Sequence, residues 1–189
     1  IFDQHIICLA GDGCMQEGVS AEARAFAGHQ RLDNLILIYD ANEVTLDAMA
    51  EATQSEDTEL RYKGYGWDVT RIDGHDMDAF LAAVEKAKAD DNGKPKLIIA
   101  KTLIGKGLPG DVAGTAGAHG EKSGLPHIEE SRRNLGLPEE RFYVSDEVKA
   151  FFAERREELA ADRSQWLETY DAWKAANPDK AQLLEDGLG

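Results

Sequence analysis

Apolar residues cluster in four short runs along the chain, and each run lies close to Gly, Asp, Asn or Pro. These runs have the length of β-strands and occupy residues 6–10, 35–39, 67–72 and 97–101. They show little alternation, which is typical of strands that helices cover on both faces. Helical spacing of the apolar residues between them predicts helices over residues 20–30 and 76–89. The alternation of strand and helix therefore predicts an α/β fold with a doubly wound, mostly parallel sheet.

The last third of the chain has a different pattern, typical of one long helix. Ser145 is a suitable N-cap, and Asn177 followed by Pro178 is a stop signal. Apolar residues recur between them at positions 148, 152, 159, 166, 170 and 173, which predicts a core or packing surface. We therefore expect an α/β domain over residues 1–125 and a helical C-terminal extension of it over residues 126–189.

The net charge and the cysteine content exclude several classes of protein. The 189 residues include 36 acidic and 21 basic side chains, and the formal net charge is -15 at pH 7. An acidic surface repels nucleic acid, and no run reaches the roughly 18 apolar residues that a membrane span needs. Only two cysteines are present, and a signal-peptide pattern is lacking. The sequence predicts a soluble, cytoplasmic protein that binds neither nucleic acid nor membranes.

The strongest chemical signal lies just after the first two predicted strands. Gly11, Asp12 and Gly13 follow the first strand, and Asn42 follows the second. Parallel strands end at the same edge of a sheet, where the ligands of open α/β sheets bind. Mg²⁺ prefers hard oxygen donors, which a carboxylate and an amide supply, together with phosphate oxygens. Because glycines let the backbone approach a diphosphate, the pattern predicts a magnesium diphosphate site. The alternative is a tight turn at residues 11–13 with Asn42 as a loop cap.

Longer motifs around these residues resemble the thiamine-diphosphate motif of the transketolases. The matching segments are GDGCMQEG at 11–18, EA at 22–23, YDAN at 39–42, YGW at 65–67, IDGHD at 72–76, KP at 94–95 and KTLIGKG at 101–107. The similarity is close from residue 5 to about residue 124 and continues more loosely to the end. It implies the thiamine diphosphate-binding fold, in the domain that holds the diphosphate.

The resemblance implies how the cofactor is anchored. Asp12, Asn42 and the backbone carbonyl of Val44 would bind Mg²⁺, or Ca²⁺ in its place. Gly13 would contact the diphosphate of thiamine diphosphate. These assignments agree with the metal chemistry of the Asp12 and Asn42 pair.

The resemblance also implies roles outside the metal site. Leu46 and Ile104 would line the cofactor, and His119 would be a catalytic residue that contacts both the diphosphate and the donor substrate. Glu17 and Glu22 would link two active sites across a homodimer interface. The sequence departs from the family pattern near His119, because Ala116 occupies the position where many transketolases have a second histidine. Residues 121–124 read EKSG where the family has APLG.

The implied activity is transfer of a two-carbon ketol unit from a ketose phosphate to an aldose phosphate. In the family, a glutamate on a separate pyrimidine-binding domain activates the cofactor. The sequence lacks an initiator Met and such a domain, so we expect a piece of a longer or split enzyme that is inactive alone. Two alternatives remain: a fragment of a 1-deoxyxylulose-phosphate synthase or 2-oxo-acid dehydrogenase, and a non-catalytic remnant.

Overall fold

A four-stranded parallel sheet forms the centre of the α/β region. The computed structural model describes residues 2–120 and 125–188. The strands are β1 (Ile6–Gly11), β2 (Leu35–Ala41), β3 (Asp68–Asp73) and β4 (Lys96–Lys101). Their order in the sheet is β1-β2-β4-β3, and all three pairings are parallel. The predicted α/β fold with a parallel sheet is confirmed.

Seven α-helices accompany the strands within the described residues. They are α1 (Asp12–Gln16), α2 (Gly18–Gln30), α3 (Thr58–Gly64), α4 (Met77–Ala89), α5 (Ile128–Asn134), α6 (Asp146–Ala176) and α7 (Pro178–Leu188). Asp57, Asp76 and Ser145 cap α3, α4 and α6 by accepting a backbone N–H at 3.0, 3.0 and 3.2 Å. The predicted cap at Ser145 is confirmed. The sequence pattern did not predict α1, α3 and α5, because helices of five to seven residues show too little periodicity. It also did not predict α7, which begins at Pro178 directly after the predicted stop signal.

Two apolar clusters cover the two faces of the sheet. One contains Met15, Ala27, Tyr39, Ala41, Tyr62, Trp67, Leu97 and Ile99, and the other contains Ile36, Ile38, Ala83, Ala87 and Ile98. Successive residues of β2 and β4 alternate between the clusters, as the pleat of a strand requires. The prediction that helices cover both faces is therefore confirmed for these two central strands.

The same prediction is wrong for β1. This strand lies at the edge of the sheet, and Ile7 and Leu9 are 51% and 78% exposed. The sequence pattern resembles that of a central strand, but no described element covers these two side chains. The apolar run therefore indicates surface that another element or chain would bury.

Helix α2 packs closely against the segment between α3 and β3. A Cβ atom on Gly28 would lie 1.9 Å from the carbonyl oxygen of Tyr65, so only glycine fits there. The indole N–H of Trp67 donates to the carbonyl of Arg24 at 2.8 Å. These two contacts hold α2 over the apolar cluster that contains Tyr62 and Trp67.

Residues 4–138 form one compact unit, and residues 1–3 with 139–189 form another. The second unit is helical, as predicted. Its long helix α6 has no buried residue, so the apolar stripe is not part of a core, and its role as a packing surface stays a prediction. Trp166 and Tyr170 stack with ring centroids 4.9 Å apart, and Phe2 lies beside both rings. No helix among residues 2–120 and 125–188 is long and apolar enough to cross a membrane.

Candidate functional site

The two residues of the Asp12 and Asn42 pair meet at the C-terminal edge of the sheet. Gly11 at the end of β1 lies opposite Asp40 in β2, so Asp12 and Asn42 follow at the same edge. Asp12 is only 3% exposed. The parallel register thus brings together two polar residues that are thirty positions apart in the chain.

Three donors hold the Asp12 carboxylate in place. Its Oδ2 accepts the backbone N–H groups of Asn42 and Glu43 at 3.0 and 2.9 Å, and its Oδ1 accepts the hydroxyl of Tyr39 at 2.7 Å. Each carboxylate oxygen has two lone-pair sites. Both sites of Oδ2 are therefore used, and one site of Oδ1 remains. Asp12 is arranged to offer a single oxygen, Oδ1, to a ligand.

Tyr39 is the side chain that sequence reasoning missed at this position. It is 5% exposed in β2, and burial together with its hydrogen bond to Asp12 raises the pKa of the Tyr39 hydroxyl above its usual value. The phenol therefore stays protonated throughout the physiological range and can donate only to the carboxylate. The sequence signal was weak, because an apolar aromatic residue in a strand usually belongs to the core.

Asn42 is oriented by its neighbours in the same way. Its Nδ2 donates to Asp40 Oδ2 at 3.3 Å, and its Oδ1 accepts the N–H of Val44 at 3.0 Å. Asp40 also accepts the hydroxyl of Thr102 from the end of β4. An amide oxygen has two lone pairs, so Asn42 Oδ1 keeps one site for a further ligand.

Glu43 connects this loop to β4. Its φ is 65°, a left-handed conformation that non-glycine residues rarely adopt, and its N–H donates to Asp12. Its carboxylate forms an ion pair with Lys101 at 2.5 Å. Strained backbone of this kind is often found at functional sites, where surrounding contacts maintain it.

Val44 and Leu46 lie on a tight turn beyond Asn42. Val44 is 3% exposed and pairs in an antiparallel bridge with Met49, while the N–H of Thr45 donates to the carbonyl of Ala48 at 2.9 Å. Leu46 lies at the tip of this turn and is 67% exposed. The structure therefore places Val44 beside the Asp12 and Asn42 pair and leaves Leu46 facing outward.

A cleft of about 590 Å³ opens beside Asp12. Its lining includes Tyr39, Glu43, Asp73 and Lys101. Asp12 is the one predicted site residue in this lining. The others stay predicted metal or cofactor contacts that lie outside it: Gly13, Asn42, Val44, Leu46, Ile104 and His119. Both signs of charge are present, so the cleft can contact a metal ion and an anionic group together.

The backbone next to Asp12 leaves room for a ligand. A Cβ atom added to Gly11 or Gly13 would meet nothing within 4 Å, and Gly13 is exposed. Among the described residues, no group of three or more His, Cys, Asp or Glu side chains lies close enough to hold a metal ion. A cation at this site would therefore need the amide of Asn42 and backbone carbonyls as donors besides Asp12.

The remaining predicted site residues lie in exposed or partly buried places. His119 follows a 3-10 turn at Ala116–Ala118 and is exposed, and Ile104 is half-buried, with its carbonyl accepting the N–H of Gly114 at 2.9 Å. The segment 121–124, where the sequence departs from the family pattern, lies outside the described residues. His119 and Ile104 thus stay predictions as functional residues.

The two acidic residues implied in dimer contacts are both exposed. Glu17 lies at the junction of α1 and α2, and Glu22 lies on α2. Val19 and Phe26 on the same helix are 70% and 61% exposed. The helix therefore presents acidic and apolar side chains on its surface, and the coupling role of the glutamates stays a prediction.

Comparison with known proteins identifies the family. The family model described as "Transketolase, thiamine diphosphate binding domain" matches residues 1–188. The chain belongs to the transketolase family. Transketolases of Physarum polycephalum and Dictyostelium discoideum are each 50% identical to it over 186 residues, which are 98% of this chain and 28% of each relative. The chain therefore spans about 28% of the length of these transketolases.

Solved transketolase structures have the same fold over nearly the whole chain. A Pichia stipitis transketolase in complex with sedoheptulose-7-phosphate is 36% identical with a TM-score of 0.86, over 97% of this chain and 27% of that one. A Campylobacter jejuni transketolase is 35% identical with a TM-score of 0.83, over 97% of this chain and 28% of that one. The matches support a transketolase segment over the other thiamine-diphosphate enzymes and the non-catalytic remnant considered from the sequence.

Proposed function

We propose that this chain anchors thiamine diphosphate for a transketolase reaction by holding a divalent metal ion against the diphosphate. The metal ligands in this proposal are Asp12 Oδ1, Asn42 Oδ1 and the carbonyl oxygen of Val44. The observation that carries the proposal is the buried Asp12 carboxylate, whose three donors leave one lone pair of Oδ1 for a cation. The position of the site at the C-terminal edge of a parallel sheet supports a phosphate-bearing ligand.

The donor set fits a hard cation. All three proposed ligands are oxygen atoms, which Mg²⁺ and Ca²⁺ prefer over nitrogen and sulfur. A carboxylate and two neutral oxygens leave coordination positions for diphosphate oxygens and water, as Mg²⁺ usually requires. Gly13 would let its backbone contact the diphosphate, because no side chain fills the space beside it.

The proposed reaction is transfer of a two-carbon ketol unit between sugar phosphates. When bound, thiamine diphosphate supplies the electron sink for this transfer. This chain would fix the diphosphate end through Asp12 and Asn42, while Leu46 and Ile104 would line the cofactor. His119 would contact the diphosphate and the donor sugar phosphate from the glycine-rich loop. Exposed Leu46 and His119 side chains are accessible to such ligands.

The complete enzyme in this proposal is a cytoplasmic homodimer of the pentose phosphate pathway. A pyrimidine-binding domain, from further sequence or another polypeptide, would complete each active site. Glu17 and Glu22 would couple the two sites across the interface, and the exposed Val19 and Phe26 on α2 support a protein contact there.

Metal dependence of cofactor binding tests the proposal. Thiamine diphosphate titrated into the chain by calorimetry should bind in the presence of Mg²⁺ and should lose measurable binding in EDTA, because the diphosphate then faces Asp12 without a bridging cation. Adding Ca²⁺ to the EDTA-treated sample in excess should restore binding. Equal affinity with and without divalent cations would contradict a metal-bridged anchor.

Tyr39→Phe should weaken this metal-dependent binding about tenfold, since outer-shell partners of metal ligands typically contribute 10–100-fold to affinity. The matched control is Tyr62→Phe, which removes another buried hydroxyl; this one donates to Met15 Sδ at 3.7 Å and also interacts with Arg24 and Ser20. The pKa of the Tyr39 hydroxyl is raised above its ordinary value of about 10, so the hydroxyl keeps its proton below pH 10. The loss of affinity in Tyr39→Phe should therefore be the same at every pH between 6 and 9. Equal affinities of the two variants would remove Tyr39 from the support of Asp12.

A further inference from the structure

The turn between β3 and α4 is held in place by hydrogen bonds of its own residues. Asp73 Oδ1 accepts the backbone N–H of His75 at 2.9 Å, and Asp76 caps the helix that follows. The N–H of Gly74 donates to the carbonyl of Lys101 at 2.8 Å. The turn is therefore fixed against the C-terminal end of β4, which lies beside that of β3.

From this turn, His75 holds the segment that follows β4. Its Nε2 accepts the backbone N–H of Leu103 at 2.9 Å. A ring nitrogen that accepts a hydrogen bond is unprotonated, so Nδ1 carries the proton of the neutral imidazole. The pairing of β4 with β3 ends at Lys101, two residues before Leu103. The imidazole therefore supplies an acceptor just beyond the end of the sheet.

Leu103 is also the point where the glycine-rich loop returns to the sheet. A Cβ atom on Gly114 would lie 2.8 Å from Leu103 Cδ1, so the loop packs closely on this side chain. The N–H of Gly114 donates to the carbonyl of Ile104 at 2.9 Å. Leu103 and Ile104 are thus held by His75 on one side and by the loop on the other.

We propose that His75 is a positioning residue for the cofactor site, because it fixes the backbone from which Ile104 extends; this rests on the proposed function, in which Ile104 lines the cofactor. Ile104 is apolar, so it would gain free energy from contact with the organic rings of thiamine diphosphate and not with the charged diphosphate. In this role His75 acts through the backbone of Leu103 and does not itself need to touch the cofactor.

The competing role for His75 is general stability of the fold. A side chain that only stabilises the domain would affect every ligand of the site alike, since binding draws on the same folded population. A residue that positions Ile104 should instead affect the binding of the cofactor rings selectively. Inorganic diphosphate with Mg²⁺ carries the charged end of the ligand without the rings, so it separates the two roles.

Two substitutions isolate the acceptor at Nε2. His75→Phe keeps a ring but removes the acceptor, whereas His75→Gln keeps a side-chain oxygen that can replace Nε2. His5→Phe is the matched control, because it removes another exposed imidazole, whose Nε2 lies 3.1 Å from the carbonyl oxygen of Lys88. His5 precedes β1, at the opposite end of the parallel strands from His75. If His75→Phe does not fold, His75→Ala takes its place.

Nuclear magnetic resonance of the free chain tests the contact directly. At about pH 7.5, where an ordinary imidazole is mostly neutral, the Leu103 amide nitrogen should show scalar coupling to His75 Nε2. Amide exchange of Leu103 should be about tenfold faster in His75→Phe, because the N–H loses its acceptor. Gly114, whose acceptor is the Ile104 carbonyl, should exchange faster as well. Both rates should stay near wild-type values in His75→Gln and His5→Phe.

Calorimetric titration then measures the effect on ligand binding. His75→Phe should bind thiamine diphosphate with Mg²⁺ about fivefold more weakly than the wild type, which is the size of effect expected from one hydrogen bond. Its affinity for inorganic diphosphate with Mg²⁺ should stay within about twofold of the wild-type value, and His75→Gln should restore the affinity for the cofactor.

Three results would overturn the positioning role: equal losses for both ligands, unchanged cofactor affinity in a folded His75→Phe, or unchanged exchange of Gly114. A wild-type chain that binds neither ligand would contradict the proposed function alone. In that case the exchange rates of Leu103 and Gly114 would still decide whether His75 fixes the backbone at Ile104.

Discussion

Asp12→Ala is expected to lower the magnesium-dependent affinity for thiamine diphosphate by at least about a hundredfold. The substitution removes the proposed carboxylate ligand, so the diphosphate charge is less neutralised and the cation loses its strongest donor. It also leaves the Tyr39 hydroxyl and two backbone N–H groups without their acceptor. Calorimetric titration of both proteins with thiamine diphosphate in Mg²⁺ measures the difference.

Two further variants separate loss of the ligand from loss of the fold. Asp91→Ala removes an equal charge from an exposed position before β4. Asp91 lies at the N-terminal ends of the parallel strands, opposite to the end that carries Asp12, so this variant should retain wild-type affinity. Asp12→Asn retains the side-chain volume and should bind with intermediate affinity, while circular dichroism reports whether each variant folds. Unchanged affinity in a folded Asp12→Ala protein would remove Asp12 from the metal site.

The 189-residue chain alone is expected to show no detectable ketol transfer from xylulose 5-phosphate to ribose 5-phosphate, even with saturating Mg²⁺ and cofactor. The chain spans about 28% of its transketolase relatives, and the family resemblance places the activating carboxylate on a pyrimidine-binding domain. Positioning of reacting groups can contribute roughly 7–11 kcal/mol to lowering a barrier, so its loss should bring the rate below detection. A coupled assay of the sugar-phosphate products provides the measurement.

Adding a polypeptide that carries the complementary domains should restore turnover. In that reconstituted system, His119→Ala should lower the rate, because His119 is the proposed contact to the donor sugar phosphate. The added polypeptide assayed by itself is the control. Turnover by the isolated chain would show that its own residues suffice to position and activate the cofactor.

The sequence by itself determined the features that depend on local pattern. Runs of apolar residues located β1 to β4 within one or two residues of their observed bounds. Ser145 marked the start of α6 because a cap acts on residues three positions away. Asp12 and Asn42 could be assigned to one edge of the sheet, since parallel strands end on the same side.

Only the tertiary structure decided which groups meet across the chain. The order β1-β2-β4-β3 places Thr102 beside Asp40 and Lys101 beside Glu43, contacts that no periodicity encodes. The burial of Arg24 could not be predicted either, because a charged residue on an amphipathic helix is normally assigned to the solvent face.

The Asp12 site also depends partly on the local sequence and partly on the tertiary structure. The sequence supplied a carboxylate at the end of a strand, but strand register and backbone conformation decided that Tyr39, Asn42 and Glu43 donate to it. Those three hydrogen bonds use specific lone pairs and leave one on Oδ1. Residue type determines which atoms can bind a metal, whereas the non-local hydrogen bonds of the folded chain determine which of those atoms remain available.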